Sequence, residues 1–431
     1  MRRQALHLLL AVIASLCPIA RSQDLPAVTN PDPPQGFLMP DLLSGGLRLT
    51  LSASQNVRFG YYGSGTTAIT GLTGNAGYQS VSERRPFSLL YSGGLLFTAG
   101  RSTQNYIPAV TTFQNLTLTQ AFNSRLWNLV LSDSVRYLPE SPVNNLSGIP
   151  GLGTIGLPVI GPFPGQSILT QYGQRVMNTA DVSLGRQLTG STTLHVGGSS
   201  SLERFVDNSG GLDYDQYSGT AGVNHRISAL TSAGGTYTYS QFTYPTVNVS
   251  FTTQTAQATY SRQWTRKIST AFAGGPLITR SSVFGARHSS ISFGGNADLA
   301  YTGEVSSAAI MYSRGVRSGS GVVAGTVSDD LSANYTRKLS RLSSINSLVS
   351  YTRNNSLAVL NTTPFSISTV VASVQGTRAF ARYFSAYADY NIQKQLTNGY
   401  NTTSSNAFNG LSQLVGVGIT YSPNLIHLGH K

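Results

Sequence analysis

The chain has 431 residues, of which only 10% are charged, 45 are Gly and 22 are Tyr, and its formal net charge is +13. Beyond the amino terminus, Gly, Ser, Thr and Asn interrupt every apolar stretch within a few residues, which excludes a helical membrane span and with it an inner-membrane location. The single cysteine, Cys17, excludes a disulfide framework.

In chain order, the first element is a secretory signal over 1–22. Met1-Arg2-Arg3 is a basic start, Leu8 to Leu16 an apolar run, and Ala20-Arg21-Ser22 a small-x-small cleavage site. The run is too short for a spanning helix, which needs about 20 residues. Leu16 before Cys17 and Pro18 after it argue against lipidation. Residues 23–45, with the Pro-rich stretch Asn30 to Gln35, read as a disordered periplasmic tether, too short for a folded plug.

Residues 46–421 carry a repeat. A polar residue (Leu299 in one copy), any residue, a bulky apolar one and then Ser, Thr, Asn or Ala recurs at Arg85–Ser88, Gln120–Asn123, Arg186–Thr189, His225–Ser228, Arg262–Thr265, Leu299–Thr302, Arg337–Ser340 and Arg378–Ala381. The first residues are 35, 66, 39, 37, 37, 38 and 41 positions apart. Two membrane-crossing strands of about ten residues, a short turn and an outer loop sum to that period. The one long interval holds an oversized loop, 138–172, rich in Pro and Gly.

Between these turns the residues alternate. Tyr217, Gly219, Ala221 and Val223 oppose Gln216, Ser218, Thr220 and Asn224, and Ile291, Phe293, Ala297 and Leu299 oppose Ser290, Ser292, Asn296 and Asp298. Leu331, Ala333 and Tyr335 oppose Asp330, Ser332 and Asn334, and Phe384, Ala386, Ala388 and Tyr390 oppose Ser385, Tyr387 and Asp389. Small residues beside Tyr suit a lipid-facing wall better than the Ile, Leu and Val core of a soluble sandwich. The predicted fold is an all-β, transmembrane, antiparallel up-and-down barrel. Eight turns give sixteen strands, and Leu47–Gly60 and Leu411–Tyr421 raise the count to eighteen; sixteen stays open. A tail, 422–431, follows the last strand, where such barrels usually end on an aromatic residue. The short turns are assigned to the periplasm and outer loops to residues near 61–75, 100–110, 138–172, 206–214, 244–248, 275–288, 315–325, 354–365 and 395–410.

Without Arg2, Arg3 and Arg21 the chain keeps 26 basic and 16 acidic residues, a net +10. Such an excess favours anions in a pore, although Arg and Lys at the turns also anchor a barrel at headgroups. Asp181, Asp298, Asp330, Asn334 and Asp389 are predicted to face the lumen. Arg101, Arg280, Arg287, Arg314, Arg317 and Arg353 are predicted at the outer rim, where lipopolysaccharide or solute would meet them. No HExxH, Gly-x-Ser-x-Gly, His/Cys cluster, calcium loop or phosphate-cradling loop occurs, so no catalytic, cofactor or metal site is predicted. The one enzymatic alternative is His195 or His225 with a neighbouring Ser, as in a membrane-embedded hydrolase. No basic module with interleaved aromatics suggests nucleic acid.

With Ser54-Gln55-Asn56-Val57, the hairpin Pro86 to Gly94 and the Tyr-x-Arg turns Tyr260-Ser261-Arg262 and Tyr335-Thr336-Arg337, the chain resembles bacterial outer-membrane β-barrels, in layout the loosely defined porins that accompany surface-polysaccharide clusters. The resemblance implies a Gram-negative outer membrane, insertion by the barrel-assembly machinery, contact with outer-membrane lipid and lipopolysaccharide, and transport. The expected function is a passive pore for small hydrophilic, anionic solutes. Two alternatives stay open: export of a surface polysaccharide with a periplasmic partner, and a structural or adhesive barrel closed by the 138–172 loop.

Overall fold

The computed structural model describes residues 46–60, 66–80, 82, 84–100, 109–138, 168, 174–206, 211–283, 286–319, 321–357, 366–398 and 409–424. The signal segment, the tether, most of the 138–172 loop, Arg101 and the end of the tail lie outside them. The strands are β1 (Gly46–Phe59), β2 (Thr66–Gln79), β3 (Phe87–Gly100), β4 (Val110–Asn123), β5 (Trp127–Leu138) and β6 (Arg175–Gln187). They continue with β7 (Thr192–Phe205), β8 (Tyr214–Ser228), β9 (Thr231–Tyr244), β10 (Val249–Gln263), β11 (Ile268–Val283) and β12 (Ala286–Thr302). The last are β13 (Ser306–Arg317), β14 (Thr326–Lys338), β15 (Ser343–Ser356), β16 (Ser366–Ala381), β17 (Phe384–Asn398) and β18 (Gly410–Tyr421).

Each strand pairs antiparallel with the next, and β1 closes on β18 from Leu51↔Tyr421 to Phe59↔Gln413, so the 18 strands form one sheet without an edge. Closure removes the unpaired backbone groups that hydrocarbon cannot satisfy. Strands of 12 to 17 residues at ~3.3 Å per residue and ~40° tilt rise about 30 Å or more, enough to cross a ~25 Å apolar band. The count is eighteen rather than sixteen, and all eight repeated phrases lie at the same rim.

The phrase has a physical basis. Leu188, Ile227, Trp264, Leu339 and Phe380, its bulky residues, point outward and are exposed at the short-turn rim. The hydroxyl that follows holds the turn: Thr189 Oγ1 accepts the Thr192 amide at 3.0 Å, Thr265 Oγ1 the Ile268 amide at 3.1 Å, and Ser340 Oγ the Leu342 amide at 3.1 Å. Arg262 stacks 4.3 Å from the Trp264 ring and Arg382 5.2 Å from that of Tyr383, the combination of cation and aromatic that suits a membrane interface.

Two expected outer loops are shorter. Residues 66–75 belong to β2, which pairs with β1 over its whole length. The expected loop 275–288 is the tall β11–β12 hairpin, paired from Ile268↔Tyr301 to Val283↔Ala286. Over most of the wall the faces separate by polarity. Leu51, Leu72, Tyr217, Ile291, Phe293, Val370 and Val417 are exposed on the outside, whereas Ser52, Ser54, Asn56, Thr73, Ser332, Ser350, Thr352 and Thr420 stand on the inside.

Candidate functional site

The inner face is a lattice of hydroxyl and amide side chains linked across strands. Ser52 Oγ lies 3.1 Å from Thr420 Oγ1, Thr369 donates to Gln395 Oε1 at 2.8 Å, Thr220 lies 3.1 Å from Thr238, and Ser240 donates to Ser218 at 2.9 Å. Such a wall offers hydrogen bonds in both directions and repels neither sign of charge.

Asp181, Asp298, Asp330, Asn334 and Asp389 all share this face, because their neighbours Val182, Leu299, Leu331, Tyr335 and Tyr390 take the outer one. Asp181, Asp298 and Asp389 stand on β6, β12 and β17, four to six residues from the short turns and spread around the circumference. Asp330 differs, being 4% exposed and ion-paired to Arg317 at 2.9 Å, with Ser313 donating to it at 3.4 Å. Interior basic residues are Arg48, Arg58, Arg136, Arg175 and Arg317, against Asp181, Glu203, Asp298, Asp330 and Asp389, so the described wall between the rims is balanced in charge.

The basic residues expected at the outer rim divide. Arg317 turns inward as described. Arg280, Arg314 and Arg353 face outward on β11, β13 and β15. Arg287 is the second residue of β12, opposite Ser282 on β11, and Arg101 is outside the described residues. Arg314 grips Asp329 through Nη1 at 2.6 and 2.8 Å, and Tyr312 donates to the same carboxylate at 3.0 Å.

His195 and His225 point to opposite faces of adjacent strands, His195 inward opposite Gly222 and His225 outward opposite Thr192. The His225 Nδ1 lies 2.9 Å from Thr192 Oγ1 at the short-turn rim. Neither ring is hydrogen-bonded to a serine among the described residues, and those residues contain no group of three or more His, Cys, Asp or Glu that could hold a metal.

The long-loop mouth holds what sequence reading missed. Between β13 and β14, residues 318, 319 and 321–325 fold into the barrel. Tyr244 donates to the Ser318 carbonyl at 2.6 Å and the Leu212 amide to the Gly321 carbonyl at 2.7 Å. Ala324 packs among Tyr214, Phe242, Tyr244, Val249 and Phe251 at the ends of β8, β9 and β10. On its other side Val323 meets Ile168 and Ile367 of β16. The segment therefore touches the wall at two places far apart on the circumference and narrows the mouth. Gly319, Gly321 and Gly325 have φ of +80°, +72° and +82°, conformations that cost other residues ~1–2 kcal/mol. A Cβ on Gly321 would stand 2.3 Å from the Phe205 ring, and one on Gly325 2.4 Å from that of Phe251.

Beneath the segment lies a buried ion pair. Arg175 Nη1 and Glu203 Oε1 are 2.8 Å apart with both side chains 0% exposed, and the guanidinium sits 4.8 Å from the Phe205 ring. Neighbouring strands bring them together, since Arg175 pairs with Phe205 and Met177 with Glu203. The signal for all of this was a cluster of exceptions to polarity: Phe242, Tyr244 and Phe251 crowd inward positions of adjacent β9 and β10, whereas other inward apolar residues such as Phe113, Leu277 and Leu414 stand scattered among Ser, Thr and Asn.

A closed barrel that is apolar outside and polar inside, with short turns at one rim, has the architecture of an outer-membrane β-barrel. No family profile and no curated protein matches the chain. Among solved structures it is similar to Pseudomonas aeruginosa OccK2 (OpdF), at 12% identity over 92% of this chain and 100% of that one, with a TM-score of 0.45. It is also similar to Pseudomonas aeruginosa OccK7 (OpdD), at 11% identity over 88% and 98% with a TM-score of 0.44. The FrpB iron transporter of Neisseria meningitidis aligns at 8% identity over 89% and 82%, TM-score 0.44. The fold assignment rests on the chain's own strand pairing.

Proposed function

We propose that the protein is an outer-membrane, porin-like channel for passive passage of small hydrophilic solutes, with a preference for anions. The observation that carries the reading is the inner wall of hydroxyls and amides inside a closed barrel of 18 strands, a size that encloses an aqueous channel. Segment 318–325 sets the size limit at the long-loop mouth. The anion preference comes from the rims, because thirteen arginines and lysines stand in or beside the short turns against one described carboxylate there, Glu304.

An exporter of surface polysaccharide would present aromatic rings along its path. Here Trp127 and Trp264 face outward, the stacked pair Phe242–Phe251, with centroids 4.5 Å apart, packs against Ala324, and the inward Phe113 and Tyr387 are buried, so no row of exposed rings lines the described inner face. That arrangement favours the passive pore. The test is conductance and reversal potential of the refolded chain from Gln23 onward in a planar bilayer under a salt gradient. Steady openings with anion preference are the expected result. A folded, heat-modifiable barrel that never conducts refutes the pore and leaves a closed structural barrel or an exporter awaiting its partner.

A further inference from the structure

Towards the long-loop rim, the outer face of β15–β17 carries two cations without a partner among the described residues. Arg353 on β15 and Lys394 on β17 point outward and are exposed, and neither forms an ion pair or side-chain hydrogen bond among the described residues. Arg353 pairs with Ser368 and Lys394 with Val370 on the intervening β16. Two strand spacings and a two-residue offset separate their Cα atoms by about 12 Å. Arg353 is ten residues beyond Ser343 and Lys394 ten beyond Phe384, which places both roughly 25 Å above the short-turn rim, at the far edge of the apolar band.

The surrounding charges explain why these two are free. The carboxylate nearest in register to Arg353 is Asp329 of β14, and Arg314 and Tyr312 already claim it. No carboxylate faces outward on β16, β17 or β18. Below the two cations the wall is apolar, with Tyr351, Val349, Val370, Val374 and Tyr390 all exposed. A lone cation at a hydrocarbon edge is costly unless an anion meets it. A ligand that fits must carry more than one negative group across that span and acyl chains to lie on the wall beneath.

We propose that the outer face of β15–β17 docks a phosphorylated glycolipid of the outer leaflet, one phosphate of its disaccharide headgroup on Arg353 and another on Lys394. Arg314 acts through Asp329, drawing that carboxylate away from Arg353. The site does not depend on whether the lumen conducts.

The refolded chain is reconstituted in phosphatidylcholine vesicles doped with bisphosphorylated lipid A, extracted mildly and read for bound lipid by native mass spectrometry. Replacing both cations, Arg353→Gln with Lys394→Gln, is expected to lower lipid A affinity about thirtyfold, since each basic residue near a membrane surface contributes about a factor of five. Dephosphorylated lipid A should bind the parent no better than lipid A binds that variant. Arg262→Gln with Arg378→Gln, at the other rim, should change nothing. If the double variant does not fold, Lys394→Gln alone should lose about fivefold. Equal lipid A binding by parent and variant overturns the proposal, as does equal binding of the dephosphorylated lipid. Loss of a two-barrel species in the variant with lipid binding unchanged would assign the face to a second copy instead.

Discussion

Releasing segment 318–325 from the wall should open the mouth without unfolding the barrel, and the structure fixes how much must be undone. The bonds from Tyr244 to Ser318 and from Leu212 to Gly321 contribute ~1 kcal/mol each. Burial of Val323 and Ala324 adds ~2 kcal/mol, so the docked state is favoured by about 4 kcal/mol, roughly a thousandfold. Gly325→Ala puts a Cβ 2.4 Å from the Phe251 ring at a φ of +82°. The left-handed backbone and the overpacking together cost ~3 kcal/mol. That leaves a docked excess of about fivefold, and adding Gly321→Ala, which meets Phe205, tips the balance toward release by ~2 kcal/mol.

The assay needs a reporter on the buried side. In a chain beginning at Gln23, Ala324→Cys introduces the sole thiol at a position 3% exposed. Labelling by a polar maleimide then scales with the released fraction when docking is fast. Relative to that parent, Gly325→Ala should label about two hundred times faster, and the double glycine variant at close to the rate of an exposed thiol. Single-channel conductance of the double variant should rise in parallel. Unchanged labelling in a double variant that still migrates as a folded barrel would refute the docked segment.

Tyr244→Phe removes only the bond to Ser318 and should raise the same labelling rate about tenfold, the effect of losing ~1–1.5 kcal/mol, with barrel stability unaltered. Glu203→Gln breaks the buried pair with Arg175 and should cost 3–5 kcal/mol in reversible unfolding from lipid vesicles, with about half recovered when Arg175→Met is added; no loss in the single variant would show that the pair is not buried in the folded barrel. Asp133, whose neighbours Leu131 and Val135 face outward, is a lipid-side carboxylate held at 2.7 Å by Asn178. Asp133→Leu should therefore stabilise the barrel by ~1–2 kcal/mol in the same unfolding measurement; destabilisation would mean that something other than lipid covers it.

The turns were legible because they share a local chemistry, an outward anchor such as Trp264 and, in four of them, a hydroxyl such as Thr265 that holds the reversal. Strand number then followed from closure. The loops were less legible where local signals lost to pairing. Gly275 and Pro276 read as a loop, yet β11 continues through them and only its ladder with β10 is interrupted, between Thr255↔Leu277 and Ala258↔Gly274. A Cβ on Gly275 would stand 2.0 Å from the Ala256 carbonyl, so the glycine is there for close approach and not for a turn. The inward segment was illegible for another reason. Ser318 meets Tyr244 across 74 residues of sequence, and nothing local in Ser-Gly-Ser-Gly distinguishes a loop that turns into the barrel from one that turns out.

The placement of charge decides how selectivity should behave. Between the rims the described interior carries five basic and five acidic side chains, so the excess lies at the short-turn rim, where it does two jobs. It anchors the barrel at headgroups, as Arg262 beside Trp264 and Arg382 beside Tyr383 show, and it raises the local concentration of anions at the mouth. A rim field of this kind reaches about one Debye length, ~10 Å at 0.1 M salt and ~3 Å at 1 M. The anion preference should therefore be clear in dilute salt and vanish near 1 M. A binding site on the lumen wall would behave in the opposite way, because ions desolvated against Arg58 or Arg136 are screened little. A reversal potential that persists undiminished at high salt would move the selectivity from the rim to the wall, and would make the balanced interior, not the net charge, the feature in need of explanation.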